Sequence, residues 1–236
     1  MKTMSKKLPP KIVFLDAGTV DLGDIQLSAL KKLGNLVLYN DTRPEDIHTR
    51  AYGASVVITN KCVFNQAIFE KLPDLQLICV AATGVNNIDL EIAKNKGVMV
   101  ANAANYSTAT VVEHTLLFIL GFAHRLVEHH QSVIDRRWSN GRQFAIFDYP
   151  YSEVSGKTLG VIGYGNIGKK VAAAAKALGM NVLIAKLPNR KYPASPARLP
   201  LEQVLKQSDF VTLHCTLTED TRHLMNTKRL NIMKRS

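Results

Sequence analysis

The sequence predicts an α/β protein made of two successive parallel-sheet units, and three observations carry that prediction. Short runs rich in Val, Ile and Leu alternate with segments of helical periodicity up to residue 103. The same alternation resumes at residue 158. Between a strand-like run and an alanine-rich helical segment stands the glycine triad Gly163, Gly165 and Gly168. Strands that are apolar at every position belong to parallel sheets covered on both faces, and the intervening helices supply the cover.

The elements follow in order. Residues 12–15 read as a strand, and 25–33 as a helix stopped by Gly34. Residues 36–39 are the next strand, 44–52 a short helix ending at Gly53, and 55–59 a strand. A helix over 65–72 is halted by Pro73, which cannot continue it. Residues 75–80 are a strand, 88–96 a helix stopped by Gly97, and 98–100 a strand. Strand–helix units of this number and size make a flavodoxin-like domain. Ligands of such a sheet sit outside the strand C-terminal ends, where Asp16, Ala17 and Gly18, Asn60 and Lys61, and residues 81–87 fall.

Val111, Val112, Thr115, Leu116, Ile119, Phe122, Ala123 and Leu126 recur at helical spacing, which predicts one long helix over 109–127. It is apolar around most of its circumference and needs two partners, so a second subunit is expected to cover it in a homodimer; the alternative is a helix buried within its own core. Residues 136–151 carry the single Trp138 with Phe144, Phe147, Tyr149 and Tyr151, an aromatic arm expected to pack on something. A second α/β unit then begins: strand 159–162, helix 166–178 stopped by Gly179, strand 182–185, a loop over 186–200, helix 201–207, strand 210–213 and a final helix 227–234.

Composition narrows the classes. The 236 residues, 46% hydrophobic and 21% charged, suit two domains of ~100–150 residues and exclude a disordered chain. Cys62, Cys79 and Cys215 are odd in number and form no metal-ligand spacing, so free thiols in a reducing compartment and no metal are expected. No run approaches the ~18–20 apolar residues of a membrane helix, and the basic N-terminal stretch lacks a signal-peptide core. The expectation is a cytoplasmic protein without a membrane partner. The net charge of +11 is spread in ones and twos, as at Lys31-Lys32 and Lys169-Lys170. No basic stripe interleaved with aromatics is present, so no nucleic-acid partner is expected.

The motif that carries chemistry is Gly163-Tyr164-Gly165-Asn166-Ile167-Gly168. In a strand–turn–helix setting, the first glycine permits the tight turn and the second lets backbone approach a pyrophosphate. The third packs helix close on strand, and the helix N-terminus faces the phosphates with its N–H groups. This predicts a Rossmann dinucleotide-binding domain. An acidic residue at the end of the following strand would accept hydrogen bonds from the adenosine ribose. Lys186 holds that place, with Arg190 and Lys191 close behind. A cation suits a 2′-phosphate, so NADP is expected to be tolerated or preferred. If Lys186 points to solvent, NAD binds through its pyrophosphate alone.

Four stretches together resemble the D-isomer-specific 2-hydroxyacid dehydrogenases, in the glycerate dehydrogenase/hydroxypyruvate reductase branch. They are AATGVNNIDL at 81–90, NYSTATVVEHT at 105–115, GKTLGVIGYGNIG at 156–168 and LHCTLTEDTRHL at 213–224. The resemblance implies a flavodoxin-like substrate domain over 1–103, lacking its C-terminal return, and a truncated Rossmann NAD(P)-binding domain over 104–236, with a cleft between them. It implies hydride transfer between a nicotinamide cofactor and C2 of a small 2-keto acid such as hydroxypyruvate or glyoxylate. Thr83 and Gly84 would bind the substrate carboxylate through backbone N–H groups. Gly163, Gly165, Asn166, Ile167 and Gly168 would hold the pyrophosphate and Lys186 the ribose. Cys215, Thr216 and Thr221 would line the adenosine side, although Thr216 departs from the proline usual there. Glu113 and His114 would form structural hydrogen bonds on the interdomain helix, and His124, His129 and His130 would be solvated.

The family's catalytic Arg, Glu and His would lie beyond Ser236, so no catalytic residue is assigned here. The expectation is an NAD(P)-dependent oxidoreductase by family that is inactive as this chain. The alternative is a non-catalytic dinucleotide-binding, dimerising remnant. Loss of later Rossmann strands would also leave an apolar edge prone to aggregation.

Overall fold

The computed structural model describes residues 9–235. The basic stretch up to Lys7 and the last residue, Ser236, lie outside the described residues. The chain divides into two compact units, Met1–Tyr106 and Ser107–Ser236.

The first unit is a five-stranded parallel sheet in the order β2-β1-β3-β4-β5. Its strands are β1 (Lys11–Phe14), β2 (Asn35–Leu38), β3 (Val56–Thr59), β4 (Leu77–Val80) and β5 (Met99–Asn102). The connecting helices are α1 (Ser28–Leu33), α2 (Ile47–Ala51), α3 (Gln66–Glu70) and α4 (Leu90–Asn95), with short 3-10 turns at Ala17–Thr19 and Pro44–Asp46. Alternate residues of a strand face opposite sides of its sheet. Both sides of β1 are apolar: Val13 and Leu15 enter one buried cluster with Val57, Ile78 and Phe64, while Ile12, Phe14 and Ile58 enter the other. This two-sided burial is what the unbroken apolar runs anticipate. The helices are shorter than their periodic segments. At α3 and α4 the side chains of Asn65 and Asp89 accept from the Ile68 and Ile92 N–H groups and set the starts.

The second unit opens with two helices, α5 (Thr108–Ala123) and α6 (Leu126–Ile134), where the apolar spacing predicts one. They are bent by 67°. Arg125 is left-handed at φ 51°, and the Ala123 carbonyl, which a continuous helix would bond to Val127, accepts instead from the Ser152 N–H at 2.9 Å. The break is therefore set by a distant segment, and side-chain periodicity does not register it. No single helix among the described residues is long and apolar enough to cross a membrane.

A three-stranded parallel sheet follows in the order β7-β6-β8, with β6 (Thr158–Ile162), β7 (Asn181–Ile184) and β8 (Phe210–Leu213). Helices α7 (Asn166–Ala177), α8 (Leu201–Gln207) and α9 (Thr227–Asn231) complete it. On one face Leu159 and Val161 pack with Ile119 and Ala123 of α5 and with Val171, Ala172 and Ala175 of α7. On the other, Ile162 packs with Val204 and Leu205 of α8 and with Leu224. The α5 surface away from this core is exposed at Leu117, Phe118 and Phe122.

Two expectations are corrected here. The arm over 136–151 leaves Phe144 94% and Phe147 75% exposed; it is held by an Arg137–Asp148 ion pair and by Trp138 Nε1 donating to the Phe144 carbonyl. His129 is not solvated: it is half-buried, edge-on to Tyr149 and Tyr151 with its Nε2 buried, whereas His124, which stacks on Tyr151, and His130 are exposed as expected.

Candidate functional site

In both sheets the first strand sits between its successors, so consecutive crossovers depart to opposite sides. Such a point opens a crevice at the strand C-terminal ends, where doubly wound sheets take their ligands.

In the second unit β6 runs into Gly163, whose φ of +93° an L side chain rarely adopts. A Cβ there would also fall on the Cys215 nitrogen and 2.6 Å from the His214 carbonyl carbon. At Gly168 a Cβ would strike the Gly163 carbonyl oxygen, so only glycine lets α7 lie this close to its strand. Around Gly165, by contrast, the space is open. Gly165 is the N-cap of α7 and carries no side chain to cap it, which turns the helix start and its positive dipole end outward. This arrangement fits a dinucleotide pyrophosphate: a side-chain-free turn backed by an uncapped helix N-terminus.

A cavity of about 220 Å³ lies at this turn, lined by Gly163, Tyr164 and Gly165, by His214, Cys215 and Thr216 after β8, and by Arg190 and Arg198. Gly163, Gly165, Cys215 and Thr216 are thus brought together. Asn166 and Ile167 begin α7 beside it, while Gly168 is buried beneath. Lys186 lines a neighbouring cavity of about 360 Å³. Thr221 is buried at 7% exposure, and its hydroxyl donates to the Thr216 carbonyl at 2.7 Å and accepts from the Thr218 N–H at 2.8 Å. It shapes the loop after β8 and is not on the cavity wall. His214, Tyr164 and Arg198 are lining residues that sequence reasoning missed. His214 and Tyr164 lie inside the quoted motifs, whereas nothing local marks Arg198. Burial pushes the His214 imidazole below its ordinary pKa of 6.5, and its Nε2 is 2.9 Å from the Thr212 hydroxyl.

In the first unit the loop after β4 carries Thr83 and Gly84, both exposed. Asn102 Nδ2 donates to the Thr83 carbonyl at 2.7 Å, and the Thr83 hydroxyl donates to the Ala103 carbonyl at 3.2 Å. The loop is thereby tied to the end of β5. Among the described residues no hydrogen bond is made by the Thr83 or Gly84 N–H, so both remain available to a carboxylate.

At the end of β1 the arrangement is different. Asp16, 2% exposed, accepts from the Asn60 N–H at 2.8 Å, the Lys61 N–H at 2.6 Å and the Thr59 hydroxyl at 3.1 Å. Burial pushes the nearby Cys62 thiol up to about 11, which removes it as a nucleophile at neutral pH. Glu113 and His114 make no side-chain hydrogen bond among the described residues. His114 stands edge-on to Phe118, so the expected structural bonding is absent. Among the described residues no group of three or more His, Cys, Asp or Glu side chains could hold a metal ion.

Comparison with known proteins supplies the family. Residues 116–236 match the family described as D-isomer specific 2-hydroxyacid dehydrogenase, NAD binding domain. The chain is 36% identical over 231 residues to a hydroxypyruvate reductase of Blautia hydrogenotrophica, covering 95% of this chain and 71% of that protein. It is 38% identical over 227 residues to a glycerate dehydrogenase of Methylorubrum extorquens, covering 96% and 70%. Among solved structures, D-lactate dehydrogenase from Aquifex aeolicus, complexed with NAD and lactic acid, superposes with a TM-score of 0.77 at 29% identity, covering 94% of this chain and 66% of that one. The glycine turn, the open helix start and these matches agree: the chain belongs to the D-isomer-specific 2-hydroxyacid dehydrogenases, a family of NAD-dependent oxidoreductases.

Proposed function

We propose that this chain binds a nicotinamide dinucleotide and a small 2-keto or 2-hydroxy acid, such as hydroxypyruvate or glyoxylate, in a 2-hydroxyacid dehydrogenase reaction. The observation that carries the reading is the Gly163–Gly165 turn, where a side chain is sterically impossible at the first glycine and absent before α7. The bound dinucleotide supplies or accepts a hydride. The chain's own residues bind and orient. The turn and the N-terminus of α7, at Asn166 and Ile167, take the pyrophosphate, and Cys215 and Thr216 flank the adenosine side. The N–H groups of Thr83 and Gly84 take the substrate carboxylate.

Proton transfer is assigned to no residue here. The substrate-binding unit holds a single histidine, His48 on α2, whose Nε2 is 3.2 Å from the Thr49 hydroxyl. His214 beside the dinucleotide cavity is held toward its neutral form by burial. The test is to titrate the chain with NADH and NADPH by fluorescence and to assay it with hydroxypyruvate and glyoxylate. Cofactor binding with little or no turnover is expected. Robust turnover would show that a group of this chain moves the proton, and absence of any cofactor binding would overturn the reading itself.

The partner proposed is a second copy of the chain. The supporting observation is the exposure of apolar side chains on α5 and α6, at Leu117, Phe118, Phe122, Val127 and Ile134. Because of the break at Arg125, this surface spans two helices and not the single helix 109–127. Light scattering after size exclusion is expected to show a dimer, and Phe122→Asp to shift it toward monomer. A monomeric parent chain would end this proposal. A cytoplasmic location accords with three free thiols.

A further inference from the structure

We propose that Arg198, with Lys186 and Arg190, forms a recognition site for the 2′-phosphate of an adenine dinucleotide, so that the chain prefers NADP(H) to NAD(H). The inference rests on the dinucleotide reading of the glycine turn and names which dinucleotide that turn receives.

The loop after β7 is closed on itself. Ala185 and Leu199 form an isolated parallel bridge, the Lys186 N–H donates to the Leu199 carbonyl at 2.8 Å, and the Leu199 N–H donates to the Ile184 carbonyl at 2.9 Å. This clip returns Arg198 to the end of β7, beside Lys186, though the two are far apart in sequence. Here an NAD site places an acidic side chain to accept from the ribose hydroxyls; this chain places cations.

Arg198 is held in a way that leaves its donors unspent. Its guanidinium carbon lies 4.3 Å from the Tyr192 ring centroid and 5.5 Å from that of Tyr164. Tyr192 is itself anchored, its hydroxyl accepting from the Leu187 N–H at 3.2 Å. Arg198 Nε is buried with no hydrogen-bond partner among the described residues. Among the described residues no carboxylate forms an ion pair with Lys186, Arg190 or Arg198 either. Asp220, on the loop after β8, accepts from Asn189 Nδ2 at 2.7 Å. The two rings seat the guanidinium while none of its N–H groups is spent on a carboxylate, and an arginine so held can give those N–H groups to phosphate oxygens.

The two cavities are consistent with this. The one at Gly163 and Gly165 and the one at Lys186 share Arg190, Tyr192 and Arg198 as common lining. The cation wall therefore stands between the pyrophosphate turn and Lys186.

The test uses binding and not turnover. The chain is titrated calorimetrically with 2′,5′-ADP and with 5′-AMP, then with NADPH and NADH by fluorescence, at one ionic strength. The 2′-phosphate is expected to tighten binding at least about tenfold, the scale of a charge-assisted hydrogen-bonded pair. Arg198→Gln should remove most of that gain and leave 5′-AMP within about threefold. The exposed Lys186→Asp, which cannot unseat the core, should reverse the preference toward NADH. Equal or tighter binding of 5′-AMP by the parent chain overturns the proposal while leaving the dinucleotide reading intact. Equal weakening of both ligands by Arg198→Gln assigns Arg198 to packing alone and overturns its role. Failure of every nucleotide to bind overturns the underlying reading as well.

Discussion

The two switch points of this molecule share a topology and differ in what fills them. At the end of β1 the chain supplies its own anion: the Asp16 carboxylate is enclosed, and the N–H groups of Asn60 and Lys61 are spent on it. At the end of β6 the chain supplies glycine, and the helix behind it begins uncapped. A doubly wound sheet concentrates outward-pointing N–H groups at that crest, and they need a negative partner. The first unit satisfies them internally, and its open N–H groups lie two strands over from β1, at Thr83 and Gly84 after β4. The second leaves the crest clear for phosphate.

Breaking each crest separates these roles. The largest effect is expected at Gly163→Ala, where the added methyl meets Cys215 and His214 backbone and the φ is wrong. A loss of about 3 kcal/mol or more is expected in the second unit, with loss of nucleotide binding. Chemical denaturation followed by Trp138 fluorescence and by NADH titration checks it. Gly165→Ala, in open space, should leave the melting transition in place and weaken only binding; equal destabilisation by both would erase the distinction between turn and cradle.

Asp16→Ala comes next, because it leaves enclosed donors without their acceptor. A cost of about 3 kcal/mol to the first unit is expected, read as faster amide hydrogen exchange in β1 and β3 with the second unit unaffected. If cofactor affinity fell as well, the crest of β1 would have a binding role after all.

The third effect is a pH dependence confined to the second crest. The folded-state pKa of His214 lies below its ordinary 6.5 because burial opposes the charge. Below about pH 6.5 the unfolded chain binds more protons than the folded one, so stability is complete above that value and declines as pH falls toward the folded pKa. His214→Gln should flatten this slope between pH 7 and 5 in urea unfolding, while Asp16→Ala should not. The smallest effect is Asn65→Ala, which removes the cap on Ile68 at the start of α3 and should cost about 1 kcal/mol in the first unit alone.

What was legible in the sequence was what local chemistry decides. The unbroken apolar runs at β1, β3 and β6 announced sheets buried on both faces. Glycines and one proline marked most helix ends, and α8 and β8 fall where their patterns put them. Gly163, Gly165, Cys215 and Thr216 stand at neighbouring strand ends, and a parallel sheet had to bring those ends together. Illegible were the features set by contacts distant in sequence. The helix break at Arg125 depends on Ser152 taking the Ala123 carbonyl. Thr221 turned inward because its hydroxyl serves its own loop. Arg198 reaches the cofactor side only through the pairing of Leu199 with Ala185.

That last pairing has a consequence for how the protein can change. The segment between Ala185 and Leu199 leaves and rejoins the sheet at one bridge, so apart from Leu187, which is buried in the core with Ile162 and Val204, and Tyr192, which packs against that cluster, its exposed part should tolerate changes of length and sequence. It behaves as an exchangeable cassette. Replacing its exposed part, with both clip residues and Leu187 kept, offers a route to retune the nucleotide partner while the glycine turn and the parallel core stay as they are.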